Sequence, residues 1–131
     1  MYLLDTNILI WILREGRGNP TVFKAIQKLL KTTPEETSIS TITVSEIYKN
    51  IQQKELSFTE KILGEQIILP VTTEIAKISG YYWQDYHLKL KELNLLDCLI
   101  AATTKDQNAS VVTLNSKHFP MKDIEVINPL S

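Results

Sequence analysis

The chain is poor in the residues that mark special classes of protein. It has one cysteine, Cys98, in 131 residues, so no internal disulfide can form and a reducing compartment is expected. Four glycines and five prolines exclude collagen-like and linker-like compositions. Neither sign of charge dominates. Fourteen Lys and Arg against fifteen Asp and Glu leave a formal net charge of −1. No global basic field advertises a nucleic-acid partner, so any such partner would be held by local patches. Low-complexity tracts and repeats of roughly 20–50 residues are absent, which excludes solenoids. The most apolar stretch, Met1 to Leu13, is interrupted by Asp5 and Asn7, so it reads as neither signal peptide nor membrane span. An opening Met1-Tyr2-Leu3-Leu4 without a basic region adds to the expectation of a cytoplasmic protein with no membrane association.

What is present is an ordinary globular composition, 44% hydrophobic and 22% charged. The length suits one domain, residues 1–131, with a core that needs no disulfide or structural metal. Short β-branched runs alternate with segments of helical period. The pattern predicts strands at Tyr2–Leu4, Thr37–Thr41, Ile67–Val71, Ser110–Leu114 and Ile124–Ile127. It predicts helices over Thr6–Arg14, Thr21–Lys31, Val44–Lys54, from near Ser57, over Thr73–Leu93 with Gly80 as a possible joint, and over Leu95–Gln107. Strand alternating with helix implies a parallel sheet covered on both faces, a three-layer α/β/α sandwich. In such sheets ligands bind beyond the carboxyl ends of the strands.

That edge collects acids. Asp5 ends the first strand, Glu46 and Asp97 fall in the first turns of helices, and Asn115 follows the fourth strand. Each has a plain structural explanation. Asp5 is a favoured helix cap, Thr43-Val44-Ser45-Glu46 fits a capping box, and Asn94-Leu95-Leu96-Asp97 resembles one. Jointly the explanation weakens, because two carboxylates ~4 Å apart repel by about 4 kcal/mol at an effective dielectric of ~20. A cap contributes only about 1 kcal/mol. A divalent cation would justify the cluster, and oxygen ligands in this number suit Mg²⁺ or Mn²⁺.

Four segments carry a resemblance. Leu4-Asp5-Thr6-Asn7-Ile8-Leu9-Ile10, Ser45-Glu46-Ile47-Tyr48, Leu96-Asp97-Cys98-Leu99-Ile100-Ala101-Ala102 and Val112-Thr113-Leu114-Asn115-Ser116-Lys117-His118-Phe119 resemble, in order and spacing, the motifs of PIN-domain nucleases of the VapC toxin type. The resemblance implies a Mg²⁺- or Mn²⁺-dependent endoribonuclease in which Asp5, Glu46 and Asp97 hold the metal and carry catalysis. The metal would activate a water for attack on the scissile phosphate. Thr6, Asn7, Thr113 and Asn115 would position substrate or support the ligands. It also implies an RNA substrate, a cognate antitoxin and a homodimer. Many relatives carry a fourth acid where this chain has Asn115 and, three residues on, His118. Asn115 offers a neutral oxygen only, which bears on a second metal.

Other residues invite plainer explanations. His87 reads as a solvated side chain, Cys98 as core, and Arg14, Arg17, Lys49, Lys54 and Lys117 as surface cations, each able to meet a phosphate. His118 lies nearer the acidic rim. Tyr81, Tyr82, Trp83 and Tyr86 read as core or as a protein–protein surface rather than a base-stacking platform. No Gly-rich turn follows the first strand, which argues against dinucleotide binding. Asn7 breaks the Asp-x-Asp that phosphoryl transfer on Asp5 would want. The remaining alternative is a catalytically weak or inactive PIN-like module that binds RNA or a protein partner.

Overall fold

Along β1 (Tyr2–Leu4) successive side chains leave opposite faces of the strand, and all three are buried. Leu3 packs into one hydrophobic cluster, Tyr2 and Leu4 into another. The computed structural model describes all residues 1–131. The other strands are β2 (Thr37–Ser40), β3 (Ile67–Leu69), β4 (Ser110–Val112) and β5 (Glu125–Ile127). Together they make one parallel sheet in the order β3-β2-β1-β4-β5.

Parallel strands need crossovers, and helices supply them. Helices α1 (Thr6–Arg14) and α2 (Pro20–Thr32) join β1 to β2; α3 (Thr41–Tyr48) and α4 (Leu56–Gly64) join β2 to β3. Helices α5 (Thr73–Tyr86) and α6 (Leu95–Asp106) carry the chain from β3 back past β1 to β4. Leu4 and Val112 pack with Ile8, Leu9, Ile26, Ile47 and Leu63 of the first four helices. Leu3 and Val111 pack with Ile75, Tyr82, Ile100 and Ala101 of the last two. The three-layer α/β/α sandwich is therefore the observed architecture. Strand order reverses between β1 and β4, and this places a ligand crevice beyond their carboxyl ends.

Helix starts follow their caps. Asn19 accepts from the Val22 N–H ahead of Pro20, Thr72 from the Ile75 N–H, and Asn94 from the Asp97 N–H. Several predicted boundaries move. The helix expected from Val44 to Lys54 starts at Thr41, because the Ser40 hydroxyl caps it through the Ile42 N–H at 3.0 Å. It stops at Tyr48, and a short 3₁₀ turn at Gln53–Glu55 follows, closed by the Gln52 N–H on Glu55 Oε1. The helix expected from Thr73 to Leu93 ends at Tyr86, where the chain turns and returns Leu93 to the core while Leu88 stays exposed. Gly80 is no joint; it sits inside an unbroken α5. Finally, β4 stops at Val112, so Asn115 lies beyond the strand end rather than directly after it.

Candidate metal and substrate site

Asp5 holds the crevice together. Its N–H donates to the Val112 carbonyl at 2.9 Å, tying the ends of β1 and β4. Its carboxylate accepts the Thr6 N–H on Oδ1 at 2.9 Å, so the predicted capping role is real. On Oδ2 it accepts the Thr113 hydroxyl at 2.8 Å and the Asn7 amide at 3.1 Å. Asn7 in turn accepts the Leu114 N–H at 3.1 Å, which fixes the orientation of its amide. Asp5 is only 7% exposed. Burial pushes its carboxyl above the usual range, the Thr113 and Thr6 donors oppose this, Glu46 adds to it, and His118 opposes it.

Glu46 reaches the same space from α3. It lies in the second turn of that helix, not the first, because Ser40 starts the helix early. The capping box expected around it does not form. Instead Glu46 Oε1 accepts the Thr6 hydroxyl at 2.7 Å, and Thr6 Oγ1 lies 3.0 Å from the hydroxyl of Thr43. Thr6 has one proton and gives it to Glu46, so Thr43 donates to Thr6. Thr43 is fully buried and was missed as a site residue. Its signal was its position three residues before Glu46, on one face of the same helix.

Asp97 stands in the first turn of α6, as expected, and its N–H is capped by Asn94 at 2.9 Å. Its carboxylate does not close a capping box. Oδ2 is buried without a hydrogen-bond partner, with His118 Nδ1 at 3.5 Å, an ion-pair distance. Burial and the Asp5 charge hold the Asp97 carboxyl up at about 6; Glu46 adds to this and His118 opposes it. The charges of Asp5 and Glu46 thus both reach Asp97.

Asn115 donates its N–H to Thr113 Oγ1 at 3.0 Å, while its side chain is exposed and makes no hydrogen bond. Cys98 is buried, and burial holds its thiol up at about 11, which makes it inert core. His87 is half-buried rather than solvated: its ring stacks on Trp83 at 3.8 Å. Of the aromatic run, Tyr82 is core and donates its hydroxyl to Asp123 at 2.9 Å, while Tyr81 and Trp83 are 65% and 41% exposed.

A divalent cation fits this chemistry. A buried carboxylate oxygen with no donor, raised by neighbouring acids, is the group a cation would stabilise. No three His, Cys, Asp or Glu side chains converge tightly enough to enclose an ion by themselves. Such openness suits Mg²⁺ and Mn²⁺, which bind through one or two carboxylates and leave positions for water and substrate phosphate. Zinc in a closed protein cage would not fit.

A parallel sheet with acids gathered at its switch point defines a class, and sequence comparison gives the class its name. The PIN-domain profile matches residues 2–124, and the chain belongs to the PIN-domain family. Ribonuclease VapC19 of Mycobacterium tuberculosis is 31% identical over 121 residues, covering 92% of this chain and 94% of the relative. Ribonuclease VapC10 of the same organism is 30% identical over 92% of this chain and 87% of its own length. Among solved structures, a toxin–antitoxin complex from Klebsiella pneumoniae aligns with a TM-score of 0.79 at 27% identity, covering 98% of each chain. FitAcB from Neisseria gonorrhoeae aligns with a TM-score of 0.76 at 26% identity, covering 99% of each. No helix of the chain is long and apolar enough to cross a membrane.

Proposed function

We propose that the chain is a Mg²⁺- or Mn²⁺-dependent endoribonuclease, the toxin of a toxin–antitoxin pair, acting as one nuclease domain. The observation that carries this is the Asp97 oxygen left buried and unpaired beside Asp5 and Glu46. Family membership supports it, as do relatives named ribonucleases and a similar structure described as a toxin–antitoxin complex.

Asp5, Glu46 and Asp97 would take up the cation between them, one or two coordinating it directly and the rest through its bound water. When bound, it supplies Lewis acidity toward the scissile phosphate and the attacking water. The protein's own work is orientation. Thr113, Asn7 and the Thr6 N–H leave Asp5 one way to face, and the Thr43–Thr6 pair aims Glu46. Donors to carboxylates keep them ionised where burial would protonate them, so these hydroxyls hold the site ready for a cation. Cytoplasmic RNA, a cognate antitoxin and a second copy of the chain are the partners this reading requires.

The test is direct. Purified protein should cleave RNA with Mn²⁺ or Mg²⁺, stop on chelation, and stay inert as Asp97→Asn. RNA left intact by properly folded wild-type protein in both metals would leave only the binding-module alternative.

A further inference from the structure

Two buried neighbours bring Asp97 and His118 together. Cys98, next to Asp97, and Phe119, next to His118, pack in one hydrophobic cluster with Leu3 of β1. A short 3₁₀ turn at Ser116–His118 carries the imidazole, and the His118 N–H donates to the Asn115 carbonyl at 2.9 Å. The ring comes to rest with Nδ1 3.5 Å from Asp97 Oδ2. That separation exceeds a normal N–H···O bond of about 2.7–3.2 Å, and Oδ2 has no donor from elsewhere. His118 is partly exposed, so an ion can reach the gap from solvent. Its charge opposes the upward shift of Asp5 as well as that of Asp97, so it acts on both acids.

We propose that His118 Nδ1 is a direct ligand of the cation and makes the site prefer Mn²⁺ to Mg²⁺. This rests on the metal-dependent reading above and deepens it by adding a nitrogen to an oxygen site. Two donors on one ion, at bonds of about 2.1–2.2 Å and angles of about 90–110°, lie roughly 3.0–3.6 Å apart. The separation of Nδ1 from Oδ2 is too long for a hydrogen bond and falls inside that range. A pair of protein ligands also matches a site where no three candidate side chains converge, with water and substrate filling the other positions. Mg²⁺ takes oxygen ligands in near-ideal octahedra, whereas first-row transition ions accept imidazole. A nitrogen at this position therefore favours Mn²⁺. Asn115, three residues earlier, offers only a neutral amide oxygen, so His118 is the stronger donor that this segment brings to the rim.

The experiment uses the untagged full chain, whose only histidines are His87 and His118. The protein is loaded with Mn²⁺ and read by pulsed electron paramagnetic resonance. A nitrogen-14 modulation of metal-bound imidazole should appear in the wild type and in His87→Gln, and vanish in His118→Gln. In calorimetry His118→Gln should weaken Mn²⁺ binding at least about tenfold, since losing a group that only supports a metal ligand already costs about 10–100-fold. Its Mg²⁺ affinity should change far less. Mn²⁺ bound without the modulation, or with the modulation kept in folded His118→Gln, would overturn the proposal and leave an ordinary ion pair. An equal loss of affinity for the two metals would overturn it too. A wild type that takes up no Mn²⁺ would overturn the metal-dependent reading along with it. Neither readout uses cleavage, so nitrogen-bound Mn²⁺ in a protein that leaves RNA intact would sink the ribonuclease reading and keep this one.

Discussion

Asp97 Oδ2 has no hydrogen-bond donor, and His118 Nδ1 lies 3.5 Å away. An exposed acid would be hydrated and a buried structural acid would be bonded, so this pair marks where the site is electrostatically incomplete. His118 arrives from the short 3₁₀ turn at Ser116–His118, and Asp97 from the start of α6. His118 opposes the upward shift of Asp97. His118→Ala should therefore raise the Asp97 pKa further above about 6. Carbon-13 NMR titration of the metal-free protein checks this, and an unmoved or lowered midpoint would contradict it.

Asp97→Asn should abolish metal-dependent cleavage and stabilise the metal-free fold by about 1 kcal/mol. Neutralising Asp97 relieves repulsion from Asp5 and Glu46, and solvent reaching the group keeps the gain small. A capping role for the Asp97 carboxylate would predict the opposite sign, but it is the Asn94 side chain that caps this helix. Thermal unfolding in chelator decides between the two. A lower Tm with cleavage retained would make Asp97 structural.

The acids also set a pH dependence. The folded Asp97 pKa of about 6 lies above the ordinary 3.8, and that of Asp5 is raised as well. A raised carboxyl contributes stability that is fully present below its unfolded pKa and lost as pH rises through the folded one. The Asp97 contribution therefore disappears between about pH 4 and pH 6, so metal-free protein should melt higher at pH 5 than at pH 7. Mn²⁺ binding should run the other way, weakening up to about tenfold per pH unit below 6 as protons compete. Calorimetry at the two pH values measures both. Affinity that is flat with pH would place the ion away from Asp97.

Asn115→Asp should tighten Mn²⁺ binding, because a charged oxygen replaces a neutral one near a hard cation. The Asn115 side chain is exposed and free of hydrogen bonds, so the change should disturb little else. Unchanged Mn²⁺ affinity would put the side chain outside reach of the ion.

Gly80→Ala should stabilise the protein by about 0.5–1 kcal/mol, since Ala exceeds Gly by that much in a helix interior. A methyl at Gly80 meets no heavy atom within 4 Å, and α5 runs through it unbroken. Chemical denaturation gives the difference. A loss of stability would show that α5 needs flexibility there.

Tyr81 and Trp83 stay exposed on α5 while Tyr82, between them, fills the core. This division supports the expected homodimer through the outward aromatic pair. Light scattering should give a dimer at tens of micromolar, with Tyr81→Ala and Trp83→Ala together shifting it toward monomer. A strict monomer in the wild type would end that expectation.

Strand-and-helix alternation, the caps at Asp5 and Asn94, and the acids near strand ends were legible in the sequence. All depend on interactions within a few residues, where local spacing sets the geometry. The three-layer architecture followed, because parallel strands admit few connections. Where long-range contacts compete with local ones, tertiary structure decided. The run Thr41-Ile42-Thr43-Val44 looks like strand or loop until Ser40 caps it, and the resulting turn buries Thr43 against Thr6 across 37 residues of sequence. The early end of α5 follows from burying Leu93, a gain that no helical period records. The approach of His118 to Asp97 needed the whole sheet in place. Local sequence chose the elements and set acids at their ends; packing of those elements chose which side chains share one space.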